Sequence, residues 1–175
     1  MAKNPSRDTN RETPGDWLSD TEQNTWRKYV AVSTVVGRML DRDLKDAHGL
    51  ISEDYGILAM LSESPEHQLR FGELCESLRV PKPFLTYRFQ RLEQQGLVER
   101  RECGADARGA FAAITEEGLD AIAMAAPTHV AGVRRMIFDH LDEPQIEQLG
   151  ELLGTILAGI DEAVCPTVGA DCCPD

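Results

Sequence analysis

Side chains that can contact the phosphates and base edges of DNA are concentrated in one stretch, from Arg79 to Arg108. This stretch holds seven basic and four acidic residues, a net charge of +3, whereas the whole chain of 175 residues has a net charge of −12. Arginine and lysine bind phosphate and guanine, and hydroxyl and amide groups bond to base edges. Charge alone fits a solvated helix face equally well. The candidate DNA-contacting residues are Lys82, Thr86, Tyr87, Arg88, Gln90, Arg91, Arg101, Asp106 and Arg108. Arg88 or Arg91 can pair with nearby acidic residues instead, so base contacts are not assigned individually.

The pattern of apolar residues predicts that two short helices, joined by a tight turn, carry the first part of this stretch. The first helix is predicted over 69–78 and the second over 82–95, because apolar residues recur there every three or four positions. Pro81 and Pro83 suit the start of the second helix, since the first N–H groups of a helix have no helical partner. Two helices spaced in this way are typical of a helix-turn-helix, although many helical proteins contain a similar pair.

A β-hairpin is predicted directly after these helices. Short strands are expected over 97–101 and 110–114, and the segment between them is polar and contains glycine, as an exposed loop requires. The loop is predicted to present Arg108 to a minor groove, with Asp106 two residues earlier able to hold its guanidinium group. A helix-turn-helix followed at once by such a hairpin is a winged helix, and this DNA-binding unit is predicted to span residues 49–115.

Long helices are predicted on both sides of the winged helix, over 17–48 and 116–162, and they are interpreted as dimerisation helices. The last of them carries a narrow apolar stripe typical of a helix–helix seam, which lies either between two subunits or within one chain. The predicted dimer interface comprises Ile146, Leu149, Leu153, Ile156 and Ile160.

Four residues are predicted to determine where helices of the chain begin or bend. Ser52, Thr115 and Asp142 each precede an apolar-periodic run and carry a side-chain oxygen, so each is predicted to cap a helix N-terminus. Pro127 lies inside the helix that follows Thr115, and it is expected to kink that helix or to break it into two.

The two ends of the chain lie outside the predicted helices. Residues 1–16 are predicted to be a disordered arm and residues 163–175 a flexible tail with cysteines.

Composition argues against several other classes of protein. No apolar run reaches the roughly 18 residues of a membrane span, and the N-terminus has no apolar signal region, so a cytoplasmic protein without membrane contact is predicted. Five cysteines argue against a disulfide framework. Hydrolase and nucleotide-binding motifs are absent and the cysteine spacing matches no standard zinc pattern, so no enzyme activity, cofactor or metal is predicted.

From about Trp17 to Ile160 the chain resembles the MarR family of bacterial transcriptional regulators. The strings that carry the resemblance are DYGILAMLSE (54–63), LRFGELCESL (69–78), QRLEQQGLVERRECGADARGAFAAITEEG (90–118) and AAPTHVAGVRRMIFDHL (125–141). The resemblance implies a mainly α fold with a small β-hairpin wing, in which a winged helix-turn-helix domain joins N- and C-terminal dimerisation helices. It implies a homodimer, more often a repressor than an activator, that places the 82–95 helix in the major groove of a pseudo-palindromic operator.

The resemblance also implies a site for a small aromatic effector between the dimerisation helices and the winged helix. By analogy, the residues that would line it are Trp26, Tyr29, His48, Tyr55 and His129, each of which also suits ordinary packing. Pro81 and Pro83 stand where the family usually has serine or another small polar residue, so a different operator sequence is expected. Two alternatives stay open: a winged-helix module that contacts another protein, and a thiol-based sensor that uses Cys103 in the wing loop.

Overall fold

A computed structural model describes residues 17–102 and 110–168 of the protein, with side chains over 17–101 and 110–161. In chain order its elements are α1 (Asp20–His48), α2 (Ser52–Glu63), β1 (Gln68–Arg70), α3 (Phe71–Leu78), α4 (Lys82–Gln94), β2 (Val98–Glu102), β3 (Ala110–Ile114), α5 (Glu116–Met136) and α6 (Glu143–Val168), with 3₁₀ turns at Pro65–His67 and Phe138–His140. The predicted class, mainly helical with a small β wing, is confirmed. The chain divides after Val35 into two units, which are described separately. Within the described residues, none of the helices is both long and apolar enough to cross a bilayer.

The sheet has three antiparallel strands, one more than predicted. β3 lies in the centre, with β1 on one side and β2 on the other. Gln68 is opposite Ala113 in one pair, and Val98 is opposite Ile114 in the other. The prediction that α3 begins at residue 69 is therefore wrong, because β1 takes the first residues of that segment. The backbone N–H of Arg70 donates to Glu73 Oε2 at 3.1 Å, and this bond marks the start of α3.

The hydrophobic core fills the space between the sheet and the helices α2 to α4. Leu58, Leu74, Leu85 and Phe89 are fully buried there. Burial of a leucine or phenylalanine side chain contributes about 1.5–3 kcal/mol, so these residues fix the position of α4. Cys75 is also fully buried, as a small core residue.

Two of the predicted helix caps are confirmed and one is wrong. Thr115 Oγ1 accepts a hydrogen bond from the N–H of Gly118 at 3.0 Å, and Asp142 Oδ1 accepts one from the N–H of Gln145 at 3.0 Å. Ser52, in contrast, is the first residue of α2, and its hydroxyl caps nothing. Its backbone N–H donates to Asp41 Oδ1 at 2.8 Å, so a carboxylate from α1 serves the start of α2 instead.

Pro127 and Gly118 are the two residues of α5 that bear on its shape and its packing. The helix is continuous through Pro127, so of the two predicted effects of that residue, a kink or a break, the break is wrong. At its start, Gly118 is packed so closely that an added Cβ would collide with the carbonyl oxygen of Leu97 and lie 2.5 Å from Ile114 Cγ1. A larger residue cannot occupy this position without moving the helix away from the sheet.

Candidate nucleic-acid interface

A tight turn places α4 against the core. Arg79 has φ of 52° and ψ of 42°, a left-handed conformation in which its N–H donates to the carbonyl of Glu76 at 3.1 Å and ends α3. Pro81 then supplies the first carbonyl of α4, which accepts from the N–H of Leu85 at 3.1 Å. The predicted helix-turn-helix is therefore present in the structure, with both prolines at the start of α4.

The turn is also in contact with the C-terminal part of α6. Arg79 Nη2 lies 2.7 Å from Asp161 Oδ2, and Arg79 Nε donates to Asp161 Oδ1 at 3.3 Å. The hydrogen bond from Arg79 holds the pKa of the Asp161 carboxyl below its usual value. Both side chains are more than half exposed, so this pair is a surface contact.

One side of α4 faces solvent and carries most of the predicted DNA-contacting residues. We call this surface the α4 outer face, and it comprises Lys82, Thr86, Tyr87, Gln90 and Arg91. Thr86 is partly buried and the other four are exposed. Tyr87 is 58% exposed, although a tyrosine of a globular protein usually covers much of its ring. The outer face offers ammonium, guanidinium, amide and hydroxyl groups on one surface, the chemistry that phosphates and base edges require.

Arg88 is not part of this surface, because it is paired with a buried acidic side chain, the alternative to a DNA contact that its residue type also allowed. Its Nη2 lies 2.5 Å from Asp54 Oδ1 of α2, and each of the two side chains is 8% exposed. The contact lacks the angles of a good hydrogen bond, so the attraction is chiefly ionic. The physical reason is helical periodicity, because Arg88 shares the inward face with Leu85 and Leu92.

The wing contributes Arg101 from β2. Its Nε donates to Glu99 Oε1 at 2.8 Å on the same strand, and about half of the side chain is exposed. The predicted minor-groove residues Asp106 and Arg108 lie outside the described residues, as does Cys103. Their roles stay predictions.

Two residues of this region were not predicted. The guanidinium of Arg100 lies over the rings of Phe71 and Phe89, 5.1 and 5.5 Å from their centroids, and so attaches β2 to α3 and α4. The two-residue period of a strand, counted from buried Val98, could have placed Arg100 on that side. Phe84 is the second residue, a large apolar side chain that is 40% exposed next to the outer face.

The predicted dimer interface is an apolar surface in the single chain. Leu153, Ile156 and Ile160 are exposed, and Leu152 and Leu157 beside them are exposed as well. Ile146 and Leu149, nearer the start of α6, are partly buried. A soluble chain rarely leaves such a run of branched side chains in water without a partner.

The residues predicted to line an effector site fall into two groups. His48 Nε2 and Thr128 Oγ1 are 2.8 Å apart, and the rings of Tyr55 and His129 stack at 4.1 Å between centroids, so α1, α2 and α5 bring these side chains together. Burial lowers the pKa of His129 and raises the pKa of Tyr55. Trp26 and Tyr29 belong to the other unit, where their exposed rings stack at 5.7 Å.

An open groove of about 590 Å³ lies between α1 and α5, and it is charged rather than aromatic. Asp43 Oδ2 accepts a hydrogen bond from Arg135 Nη2 at 2.6 Å, which lowers the pKa of Asp43. In the described part of the chain, no three histidine, cysteine, aspartate or glutamate side chains are grouped to hold a metal ion. The residues that line the groove are Arg42, Asp43, Asp46, Thr128, Ala131, Gly132 and Arg135.

Comparison with known proteins places this geometry in a family. Residues 48–109 match a family model described as MarR family. The structure is similar to that of Sco3205, a MarR family transcriptional regulator from Streptomyces coelicolor in complex with DNA, with a TM-score of 0.80, 38% sequence identity, and coverage of 82% of this chain and 94% of that one. It is equally similar to AbsC, a MarR family regulator of the same organism, at a TM-score of 0.80, 37% identity, and coverage of 83% and 98%. The homoprotocatechuate degradative operon repressor of Escherichia coli is 29% identical over 117 residues, 67% of this chain and 77% of that protein.

Proposed function

The chain belongs to the MarR family of DNA-binding transcriptional regulators, and from this premise we propose that it is a homodimeric repressor of a pseudo-palindromic operator. The observation that carries the proposal is the α4 outer face, where basic, amide and hydroxyl groups are exposed together on a helix whose opposite side is buried in the core. A helix held in this way enters a major groove as a rigid unit. Repression is the mode named for the relative from Escherichia coli.

The proposed dimer uses the apolar stripe of α6. Its exposed leucine and isoleucine side chains form a surface that a second copy covers by two-fold symmetry, which is the commonest arrangement of soluble homo-oligomers. Two copies of α4 then lie about one helical turn of DNA apart, and two weak half-sites together give a specific operator. The exposed rings of Trp26 and Tyr29 on α1 are a second surface available to a partner.

In the proposed complex the wing lies along the flanking minor groove. Arg108 enters the groove and Asp106 orients its guanidinium, while Arg101 lies at the base of the wing near the phosphates. A narrow minor groove has an enhanced negative potential that attracts an inserted arginine. This contact adds affinity without adding much sequence information.

A small aromatic effector is proposed to release the repressor. The candidate lining is the cluster of His48, Tyr55 and His129, and Trp26 and Tyr29 stay candidates through the family resemblance. Stacking between Tyr55 and His129 supplies a flat apolar surface, and His129 Nδ1 is buried without a hydrogen-bond partner, so it can bond to a ligand hydroxyl.

The experiment that tests the proposal is selection of bound duplexes from a random-sequence pool by the purified full-length chain. We expect an enriched inverted repeat, bound by two chains per duplex, with an affinity that falls steeply as salt concentration rises. Sedimentation velocity of the complex gives the stoichiometry, and fluorescence anisotropy at four salt concentrations gives the slope. A pool that stays random after selection contradicts the proposal, and binding that is indifferent to salt favours the alternative of a protein-contact module.

A further inference from the structure

We propose that the N-terminal half of α4 recognises thymine methyl groups in the major groove, through the rings of Phe84 and Tyr87. This inference rests on the proposed function and specifies which base the recognition helix selects. Phe84 is new to the set of DNA-contacting residues, and Tyr87 acquires an apolar role beside its hydroxyl.

The first observation is an apolar surface at the start of the helix. Phe84 is 40% and Tyr87 is 58% exposed, and they are separated by three positions, so their side chains are neighbours on α4. Pro83 precedes them and is exposed as well. Aromatic rings of this size dominate contact energetics and are rarely left in water without a use.

The second observation is the charge around these rings. Lys82 begins the helix, Arg91 lies in its last turn, and both are exposed. An apolar protein partner would leave these cations without counter-charges, whereas DNA supplies phosphates on both sides of the groove. The surface therefore suits a ligand that is anionic at its edges and carries apolar groups between them.

The chemistry of the major groove supplies such groups. Among the four bases only thymine presents a methyl group there, at C5, and side chains such as phenylalanine make apolar contact with it. Pro81 and Pro83 at the start of α4 have no hydroxyl to offer phosphate or base, so recognition at this end depends on shape and apolar contact. Gln90, one turn after Tyr87, is exposed and available for an adjacent adenine.

The test replaces thymine by deoxyuridine, one position at a time, in the duplex obtained by selection. This change removes the methyl group and keeps every hydrogen-bonding group of the base. We expect affinity to fall about fourfold at one or two thymines of each half-site, because a change of this size corresponds to the transfer free energy of one buried methyl group. The measurement with the wild-type chain needs no variant and so does not depend on the folding of one.

Variants then assign the contact. Phe84→Ala binds the thymine and uracil duplexes with equal affinity at the position that Phe84 contacts, and Tyr87→Ala does so at its own position. Tyr87→Phe is the matched control, because it keeps the ring and is expected to keep the fourfold preference for thymine. Circular dichroism and sedimentation verify that each variant is folded and dimeric.

Three results overturn the inference while leaving the proposed function intact: half-sites without thymine, no thymine whose methyl group changes affinity by more than twofold, or a preference that persists in both alanine variants. A pool that yields no enriched duplex overturns the proposed function itself, and this inference with it.

Discussion

Replacement of Arg88 by methionine separates the two roles that this arginine can have. In the structure its guanidinium is buried against the carboxylate of Asp54, and each side chain is 8% exposed. Methionine fills a similar volume without the charge. The variant therefore leaves Asp54 as a buried carboxylate without its partner, and such a loss costs about 3–5 kcal/mol of the free energy of unfolding.

This magnitude is large compared with the total stability of a protein domain, which is about 5–15 kcal/mol. For a chain of this size, 1 kcal/mol corresponds to about 2–4 °C in Tm, so we expect Arg88→Met to lower Tm by about 6–20 °C. The double variant Asp54→Leu with Arg88→Met removes both charges, and we expect it to recover most of the loss, because a buried ion pair replaced by apolar groups is often neutral in stability.

Two measurements are combined: urea unfolding monitored by circular dichroism, and the salt dependence of DNA binding. Because Arg88 does not face solvent, folded Arg88→Met protein should keep the wild-type slope of log K against log salt concentration. Arg91→Met is the matched control, an exposed arginine of the same helix, and it should keep Tm while its slope becomes shallower by about 0.9 for each phosphate that the arginine neutralised. The reasoning is refuted if Arg88→Met leaves Tm unchanged and makes the slope shallower by that amount.

Four further predictions concern the wing, the α6 stripe, the start of α5 and a partly buried histidine. Arg108→Ala should lose most of the operator affinity in anisotropy titrations while the dimer sediments normally, and unchanged affinity would exclude its minor-groove role. Charging the α6 stripe with Leu153→Glu and Ile156→Glu should give a monomer that no longer binds the operator, and a dimer in sedimentation velocity would place the seam elsewhere. Gly118→Ala should destabilise the chain by at least about 1 kcal/mol in urea unfolding, since α5 must shift to admit the Cβ, whereas Gly150→Ala, at an open position, should not destabilise it. Burial lowers the pKa of His129 below the ordinary 6.5, so near that pH the unfolded chain binds more protons than the folded chain. The free energy of unfolding should therefore fall as the pH drops below about 6.5. His129→Gln should reduce the accompanying fall in Tm, and a Tm profile identical to that of the wild type would contradict the assignment.

Periodicity predicted most of the winged helix, because apolar residues recur every three or four positions in its helices. β1 could not be found in this way, since three residues are too short for a period and its partner strand lies more than forty residues later in the chain. Its formation depends on a tertiary contact with β3. The predicted cap of α2 was wrong for a similar reason, because the carboxylate of Asp41 that accepts from the N–H of Ser52 comes from another helix.

Two residues of α4 show why the candidate site was harder to predict from the sequence than the fold. Arg88 was assigned to DNA by residue type, although its position in the 3.6-residue period lies with buried Leu85 and Leu92. Phe84 was not among the candidates, although its position in the period places it beside the exposed face of α4, where it is 40% exposed. For a recognition helix, position in the period is therefore a better guide than side-chain chemistry.

The contact between Arg79 and Asp161 differs in strength from the one between Asp54 and Arg88, and the difference bears on how an effector can act. The first pair joins α6 to the turn, and because both side chains are more than half exposed, solvent and salt screen it and it adds little to stability. The second pair fixes α4 on α2 from within. In the proposed dimer, a movement of α6 at the subunit seam would therefore break the weak pair before it deformed α4. If the proposed dimer and effector are correct, each winged helix should move as a rigid body, and the effector should change the separation between the two copies of α4 rather than the shape of either.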